Sequence, residues 1–65
     1  MMKIEFSTDG AAFYDEYADD AMNDTIRDEE IVRVLKIIMD AIVTYGANRG
    51  PIMDINGNKI GEWSL

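Results

Sequence analysis

Polar and apolar residues alternate near the start of the chain, and a cluster of turn-forming residues follows them. Lys3-Ile4-Glu5-Phe6 has the two-residue period of a strand with one buried face. The next four residues, 7–10, read Ser-Thr-Asp-Gly, which is typical of a turn. The pattern therefore predicts a first strand over residues 3–6 and a change of direction before residue 11.

The apolar positions between residues 11 and 23 follow a helical period instead. Six of them share one helix face, namely Phe13, Tyr14, Tyr17, Ala18, Ala21 and Met22. Carboxylates at positions 15, 16, 19, 20 and 24 occupy the other face. This predicts a short acidic helix, which needs its apolar face docked because aspartate is a poor helix former and like charges four residues apart repel.

A long helix is predicted next, with Asp24 or Thr25 as its N-cap, an end near Tyr45, and Gly46 just beyond. The centre of its apolar face comprises Ile31, Leu35, Ile38 and Ile42, flanked by Val34, Ala41 and Tyr45 on one side and by Val32, Met39 and Val43 on the other. This arc is wider than the roughly 100° that one contact surface requires. We therefore expect the sheet to cover one side, and the acidic helix or a second subunit to cover the other.

The C-terminal third predicts a β-hairpin. Apolar segments 52–55 and 59–65 flank Asn56-Gly57, a strong hairpin signal because both residues tolerate positive φ. Ile60 and Trp63 would point to opposite faces of a regular strand, so Gly61 is expected to mark a bulge. The predicted fold class is α+β. A three-stranded antiparallel sheet, built from the N-terminal strand and the C-terminal hairpin, is covered by one long helix and a shorter acidic helix within a single domain, residues 1–65.

Composition excludes several classes of function. The 65 residues contain no cysteine and no histidine, which removes disulfides, thiolate metal sites and the commonest general base. Thirteen acidic residues against six basic ones give a net charge of −7, which argues against direct binding to nucleic acid or to anionic membranes. No apolar run approaches the roughly 18 residues of a membrane span. We expect a cytoplasmic protein.

The negative charge is concentrated in one third of the chain. Residues 9–30 hold nine acidic residues and one basic residue, a net charge of −8. Most charge runs are simply solvated helix faces. Here the density is high and neutralising bases are almost absent, so self-repulsion would cost stability that binding to a basic partner could offset.

These residues are therefore the candidate partner-binding site. The carboxylates are Asp15, Glu16, Asp19, Asp20 and Asp24, extended by Glu29 and Glu30. Phe13, Tyr14 and Tyr17 lie among them and have two interpretations, either core packing against the long helix or anchoring at an interface. Tyr14 and Tyr17 are counted with the candidate site. Serine and threonine have no histidine to activate them, so no catalytic residue, metal ligand or cofactor is predicted.

A second motif has a calcium-binding interpretation. Asp54, Asn56 and Asn58 have the oxygen spacing of the first three ligands of a calcium loop. The glycine, however, stands at loop position 4 rather than 6, and position 12 would be Leu65 rather than glutamate. A hairpin turn held by asparagine side chains is the favoured interpretation, with a calcium-stabilised module as its alternative.

Several short motifs follow one another in a recognisable order. They are Asp9-Gly10-Ala11-Ala12-Phe13, Ile31-Val32-Arg33-Val34-Leu35 and Gly50-Pro51-Ile52-x-Asp54-x-Asn56-Gly57-Asn58-x-Ile60-Gly61-x-Trp63. This order resembles small, mostly uncharacterised phage and mobile-element proteins with an N-A-A-F … R-I-L … G-P-x-x-D-x-N-G-N-x-V-G-x-W pattern. The resemblance covers roughly residues 2–13 and 28–65 and implies the fold and a phage context. Gly10 replaces the usual asparagine, and residues 14–27 resemble an acidic expansion.

The leading functional hypothesis combines this context with the acidic segment. It is a non-enzymatic, anti-CRISPR-like inhibitor whose carboxylates occupy the nucleic-acid-binding site of a host nuclease or effector complex in the bacterial cytoplasm. The partner would be a basic protein surface, because nucleic-acid channels are lined with lysine and arginine. The alternative is a small homodimeric structural or adaptor protein, in which the acidic segment confers only solubility.

Overall fold

The computed structural model describes all 65 residues and has α+β architecture, as predicted. Strand β1 spans Lys3–Phe6, a single 3-10 turn spans Ala11–Phe13, and helix α1 spans Asp20–Tyr45. Strands β2 and β3 span Arg49–Met53 and Lys59–Ser64. At about 1.5 Å per residue the 26-residue helix is about 39 Å long. It therefore matches the longest dimension of the molecule, 39 Å.

The three strands form one antiparallel sheet in the order β1-β3-β2. Ile4 and Gly50 lie on either side of Trp63, so these three residues share one sheet face. Glu5 and Pro51 flank Glu62 on the opposite face, which is exposed. Strand β3 is thus the central one, and it pairs with β1 on one side and with β2 on the other.

The predicted bulge is confirmed. The register of β2 against β3 shifts between Ile52 and Met53, which pair with Gly61 and Lys59 and leave Ile60 as the extra residue. This shift lets both Ile60 and Trp63 pack toward the core. A Cβ atom at Gly61 would overlap the carbonyl oxygen of Glu5 and the Cα of Phe6, so glycine here permits β1 to approach closely.

The core lies between α1 and the sheet. Its central cluster consists of Val34, Ile38, Ile52 and Trp63. Phe6 packs against this cluster, and its ring centroid lies 6.5 Å from that of buried Phe13. The Phe6–Phe13 contact therefore connects the 3-10 turn to the core.

The prediction of a separate acidic helix is wrong. Residues 14–19 form no helix, and the 3-10 turn Ala11–Phe13 is the only helical structure before α1. The long helix instead begins at Asp20, with Asp19 rather than Asp24 or Thr25 as its N-cap. Its end is as predicted, because Gly46 takes a left-handed conformation with φ of 64° and donates to the carbonyl of Ile42.

The apolar face of α1 is also rotated from its predicted centre. Val34 and Ile38 are the buried apolar residues of the helix, and Ala41 and Ile42 pack beside them. Leu35, which was expected at the centre, is 38% exposed. The sheet thus covers one flank of the wide apolar arc, and no segment of this chain takes the place of the missing acidic helix on the other flank.

The hairpin forms, but its loop is longer than the predicted strand bounds allowed, which left only residues 56–58 between segments 52–55 and 59–65. Residues 54–58 connect Met53 to Lys59, and β2 begins at Arg49. Gly57 alone has positive φ, 84°, while Asn56 does not. The Asp54 carboxylate accepts hydrogen bonds from the N–H groups of Asn56 and Asn58, and these bonds hold the loop closed. Two consecutive left-handed residues are therefore not required.

Candidate functional site

The segment between the 3-10 turn and α1 is a compact turn that is fastened to the helix. The backbone N–H of Asp15 donates to the side-chain oxygen of Asn23 at 2.7 Å, and the Asp15 carboxylate accepts from Tyr17 N–H at 2.9 Å. The N–H of Ala18 donates to the carbonyl of Asp15 at 3.0 Å. Asp15 and Asn23 therefore hold residues 14–19 in one conformation against the first turn of α1.

The start of α1 makes further use of the acidic residues. The Asp19 carboxylate accepts from Met22 N–H at 2.8 Å, which satisfies a backbone donor that the helix leaves unpaired. Asp20 lies in the first turn, where the partial positive charge of the helix N-terminus favours carboxylates. The helix terminus therefore offsets part of the mutual repulsion that the sequence suggested.

Most carboxylates of this region have no basic partner. We define the acidic surface as Asp15, Glu16, Asp19, Asp20 and Asp24, all of which are exposed. Asp24 lies 3.5 Å from Arg27, which also contacts Asp28 at 3.0 Å. The other four members of the acidic surface make no ion pair. The structure thus gathers four unneutralised carboxylates around the beginning of one helix.

The aromatic residues of this segment divide between core and surface. Phe13 is buried, in agreement with the packing interpretation. Tyr14 is 50% exposed and Tyr17 is 90% exposed, so core packing does not account for them. Both border a shallow depression that is also lined by Ala11, Asp15 and Glu16. Two aromatic rings therefore lie beside the free carboxylates, in positions from which they can contact a partner.

Glu29 and Glu30, the expected extension of the acidic surface, lie in different environments. Glu29 is exposed on α1, whereas Glu30 is 6% exposed and faces the hairpin. The Glu30 carboxylate accepts from the Arg33 guanidinium and, at 2.9 Å, from the backbone N–H of Ile55. Arg33 also donates to the carbonyl of Met53 at 3.0 Å. Glu30 therefore fastens the helix to the hairpin loop and is not part of the acidic surface.

The electrostatics of this pair match its geometry. The hydrogen bond from Arg33 holds the pKa of the Glu30 carboxyl below its ordinary value, although burial opposes the shift. The hydrogen bond to Glu30 in turn raises the pKa of Arg33. Both groups are therefore held in their charged forms, and together they bind the last residue of β2 and the loop that follows it.

The Asp54 motif forms a turn, and an aspartate rather than the asparagines holds it. One oxygen of the buried Asp54 carboxylate accepts from the N–H groups of Asn56 and Asn58, each at 2.9 Å. The other oxygen lies 3.4 Å from the side-chain amide of Asn58. The structure groups no three acidic residues that could hold a metal ion. The side chain of Asp54 is thus engaged in holding its own loop.

The chemistry available at the acidic surface is recognition of hydrogen-bond donors. Ionised carboxylates act only as acceptors, and they bind lysine and arginine most strongly. Asp15 and Asp19 already accept bonds from the backbone, whereas the side chains of Glu16 and Asp20 make no hydrogen bond within the chain. Glu16, Asp20 and the two tyrosines are therefore the residues most available to a partner.

The division between structural and free carboxylates had one signal in the sequence. Glu30 precedes Val34 by four residues and Ile38 by eight, so helical spacing places it on the buried face. The roles of Asp15 and Asn23 had no comparable signal, because they depend on a turn that the amphipathic pattern does not indicate.

Searches with this chain against protein-family models, curated proteins and solved structures found no match. The 26 residues of α1 contain no stretch that is apolar and long enough to cross a membrane.

Proposed function

We propose that this protein is a non-enzymatic inhibitor from a phage or mobile element, acting in the cytoplasm of a bacterial host. Its acidic surface would occupy the nucleic-acid-binding site of a nuclease or CRISPR effector. The observation that supports this proposal is the cluster of four exposed carboxylates without ion pairs, Asp15, Glu16, Asp19 and Asp20, beside exposed Tyr14 and Tyr17.

The physical basis is competition for a basic surface. A channel that binds nucleic acid is lined with lysine and arginine, and it attracts any anion at a rate that electrostatic steering increases. Closely spaced carboxylates can pair with the same cations that otherwise contact phosphates. The neighbouring tyrosines add apolar contact area and hydroxyl groups, which are frequent at the energetic centre of interfaces.

The local geometry also favours binding. The side-chain oxygens of Asn23, Asp15 and Asp19 accept hydrogen bonds from backbone N–H groups and hold the segment in place before any partner arrives. A surface that is already ordered loses less conformational entropy on binding than a flexible acidic tail would lose. We therefore expect association that is fast, weakened by salt and dependent on the free carboxylates.

The test begins with the capture of partners from a bacterial lysate and continues with competition. Wild-type protein is compared with Glu16→Gln/Asp20→Asn, which removes two charges that no hydrogen bond within the chain uses. Glu5→Gln/Asp40→Asn is the matched control, because it removes two exposed charges distant in sequence from residues 14–24. A captured nuclease or effector is then mixed with labelled DNA or RNA, and release of the nucleic acid is measured at low and moderate salt.

The expected result is that wild type and the control displace the nucleic acid and that Glu16→Gln/Asp20→Asn does so at least tenfold less effectively. Displacement by all three proteins with equal potency would contradict the charge-based mechanism. Absence of any nucleic-acid-binding protein among the captured partners would contradict the proposed target class.

A further inference from the structure

The hairpin loop contains the one asparagine of this chain that precedes a glycine. Asn56 is followed by Gly57, whereas the other asparagines precede charged residues, namely Asp24, Arg49 and Lys59. The backbone nitrogen of the next residue can attack the side-chain carbonyl carbon of an asparagine, because the two atoms close a five-membered ring. Glycine has no Cβ atom to obstruct this attack. Asn56 is therefore the asparagine that its own backbone can modify most readily.

The side chain of Asn56 is free to approach its neighbour. Asn56 is exposed, and its side-chain amide makes no hydrogen bond within the chain. A Cβ atom built on Gly57 would have no neighbour within 4 Å, so the space on this side of the glycine is open. The amide of Asn58, in contrast, lies 3.4 Å from the Asp54 carboxylate. The loop thus exposes one reactive asparagine and engages the other.

The backbone of the loop is held in place, and this opposes the reaction. The N–H of Gly57, which carries the attacking nitrogen, donates to the carbonyl of Asp54 at 3.0 Å. The Asp54 carboxylate accepts from Asn56 N–H at 2.9 Å, and Glu30 on α1 accepts from Ile55 N–H at 2.9 Å. The nitrogen must give up its hydrogen bond and its proton before it can attack. The closed loop is therefore protected, and the reaction requires local opening.

We propose that Asn56 is a site of spontaneous deamidation, and that Glu30 and Asp54 set its rate by keeping the loop closed. When the loop opens, the Gly57 nitrogen loses its proton to the solvent and forms a bond to Cγ of Asn56. The bond between Cγ and Nδ2 breaks, and that nitrogen leaves as ammonia. Water then opens the succinimide ring at one of its two carbonyl carbons, which gives aspartate or isoaspartate. One water is consumed and one ammonia is released, and nothing is oxidised or reduced.

The product is expected to release the hairpin loop. Isoaspartate runs the main chain through the former side chain, which lengthens the backbone by one carbon at position 56. The N–H groups of residues 56 and 58 then no longer both reach the same oxygen of Asp54. Either product also adds a negative charge two residues from the Asp54 carboxylate. Deamidation would thus loosen the loop that Glu30 fastens to α1, and so limit the lifetime of the folded state.

The first experiment follows the reaction in the intact protein at mildly alkaline pH. Peptide mapping by mass spectrometry gives the rate at each asparagine, and chromatography of the peptides separates aspartate from isoaspartate. Asn56 is expected to react before the other asparagines in wild type. Its rate should rise about tenfold or more when the protein is unfolded in urea, because the loop is then open in every molecule.

The second experiment tests control by the two carboxylates. Glu30→Met removes the acceptor of Ile55 N–H, although it lies far from the loop in sequence. Asp54→Ala removes the acceptor of Asn56 N–H. Each substitution should raise the rate at Asn56 about fivefold, since the loss of one such bond increases the open fraction of the loop to this extent.

A matched control separates opening of the loop from a general loss of stability. Asn23→Ala removes the acceptor of Asp15 N–H in the turn before α1, and it leaves the hydrogen bonds of the loop in place. It should leave the rate at Asn56 unchanged. Deamidated wild type, separated from fresh protein by ion exchange through its added charge, should unfold at a lower urea concentration.

Several results would overturn the proposal. Faster modification at another asparagine, or none at Asn56 in the unfolded chain, would exclude the site. Equal rates in wild type, Glu30→Met and Asp54→Ala would exclude control by the two carboxylates, and equal acceleration by Asn23→Ala would assign the reaction to global unfolding. Deamidated protein as stable as fresh protein would exclude release of the loop. None of these measurements involves the acidic surface, so they test this site independently of the proposed inhibitor function.

Discussion

Carboxylates occupy two contrasting environments in this small protein. Glu30 and Asp54 are each 6% exposed, and their oxygens accept hydrogen bonds from backbone N–H groups and from Arg33 or Asn58. Glu16 and Asp20, in contrast, are exposed and unpaired. The net charge of −7 therefore combines carboxylates that hold the fold with carboxylates that remain available to a partner. Substitutions can distinguish these two kinds of carboxylate by their effects on stability.

Replacement of Glu30 should have the largest effect on stability. Glu30→Met leaves Arg33 without its carboxylate and Ile55 N–H without its acceptor, in a partly buried region. We expect the free energy of unfolding to fall by about 2 to 3 kcal/mol, below the upper range for buried pairs because Arg33 is about one third exposed. Urea unfolding followed by circular dichroism measures this change.

Two further measurements test the reason for that loss. Glu30→Met/Arg33→Met should be more stable than Glu30→Met alone, because the unpaired cation is also removed. The pKa of Glu30 is lowered in the folded state, so its contribution is complete above the ordinary glutamate pKa of about 4.3 and disappears as pH falls through the lower value. The stability of wild type should therefore fall more steeply than that of Glu30→Met on acidification. Equal slopes would contradict this role.

Replacement of Asp54 should have the next largest effect. Asp54→Ala removes the acceptor for the N–H groups of Asn56 and Asn58, and we expect a loss of about 1 to 2 kcal/mol. The loop lies at the surface, so water can replace part of what is lost, which makes the effect smaller than that at Glu30. If added calcium stabilised wild type but not Asp54→Ala, the loop would be a cation site rather than a turn held by Asp54.

Asp19 belongs to both groups, because it is exposed and also caps the helix. Asp19→Ala should cost about 1 kcal/mol through loss of the bond to Met22 N–H. Asp19→Asn should retain most of the stability, because asparagine caps helices equally well. If Asp19→Asn were as unstable as Asp19→Ala, the negative charge rather than the hydrogen bond would be the important feature.

The free carboxylates should matter least to the fold. Glu16→Gln/Asp20→Asn should change the free energy of unfolding by within about 0.5 kcal/mol, because relief of repulsion opposes the loss of the favourable helix-terminus interaction. Thermal or urea unfolding of the same variant used for partner binding provides this control. A loss above about 1 kcal/mol in the free energy of unfolding would show that Glu16 and Asp20, like Glu30, hold the fold. The distinction between structural and free carboxylates would then be wrong.

Local signals in the sequence predicted several parts of the fold correctly. Asn-Gly indicated the hairpin, and the conflict between Ile60 and Trp63 indicated the bulge at Gly61. Gly46 marked the helix end because a left-handed residue is required there. Each of these features depends on residues that are close together in sequence, and for that reason the pattern alone was sufficient.

The start of α1 was mispredicted for a physical reason. Asp24 and Thr25 are good capping residues, but no glycine or proline interrupts residues 11–45, and the helix continues through them. Asp19 caps the helix because Asp15 and Asn23 fold the preceding segment into a turn. That turn competes with helix formation through side-chain bonds, which apolar periodicity does not reveal.

The pairing of β1 with β3 has a consequence for synthesis on the ribosome. Lys3 pairs with Ser64, so β1 cannot complete its ladder until β3 has also left the exit tunnel. Closing so long a loop is slow compared with forming α1 or the hairpin. We expect the helix and hairpin to form first and the N-terminal strand to dock last, once translation of the entire domain is finished.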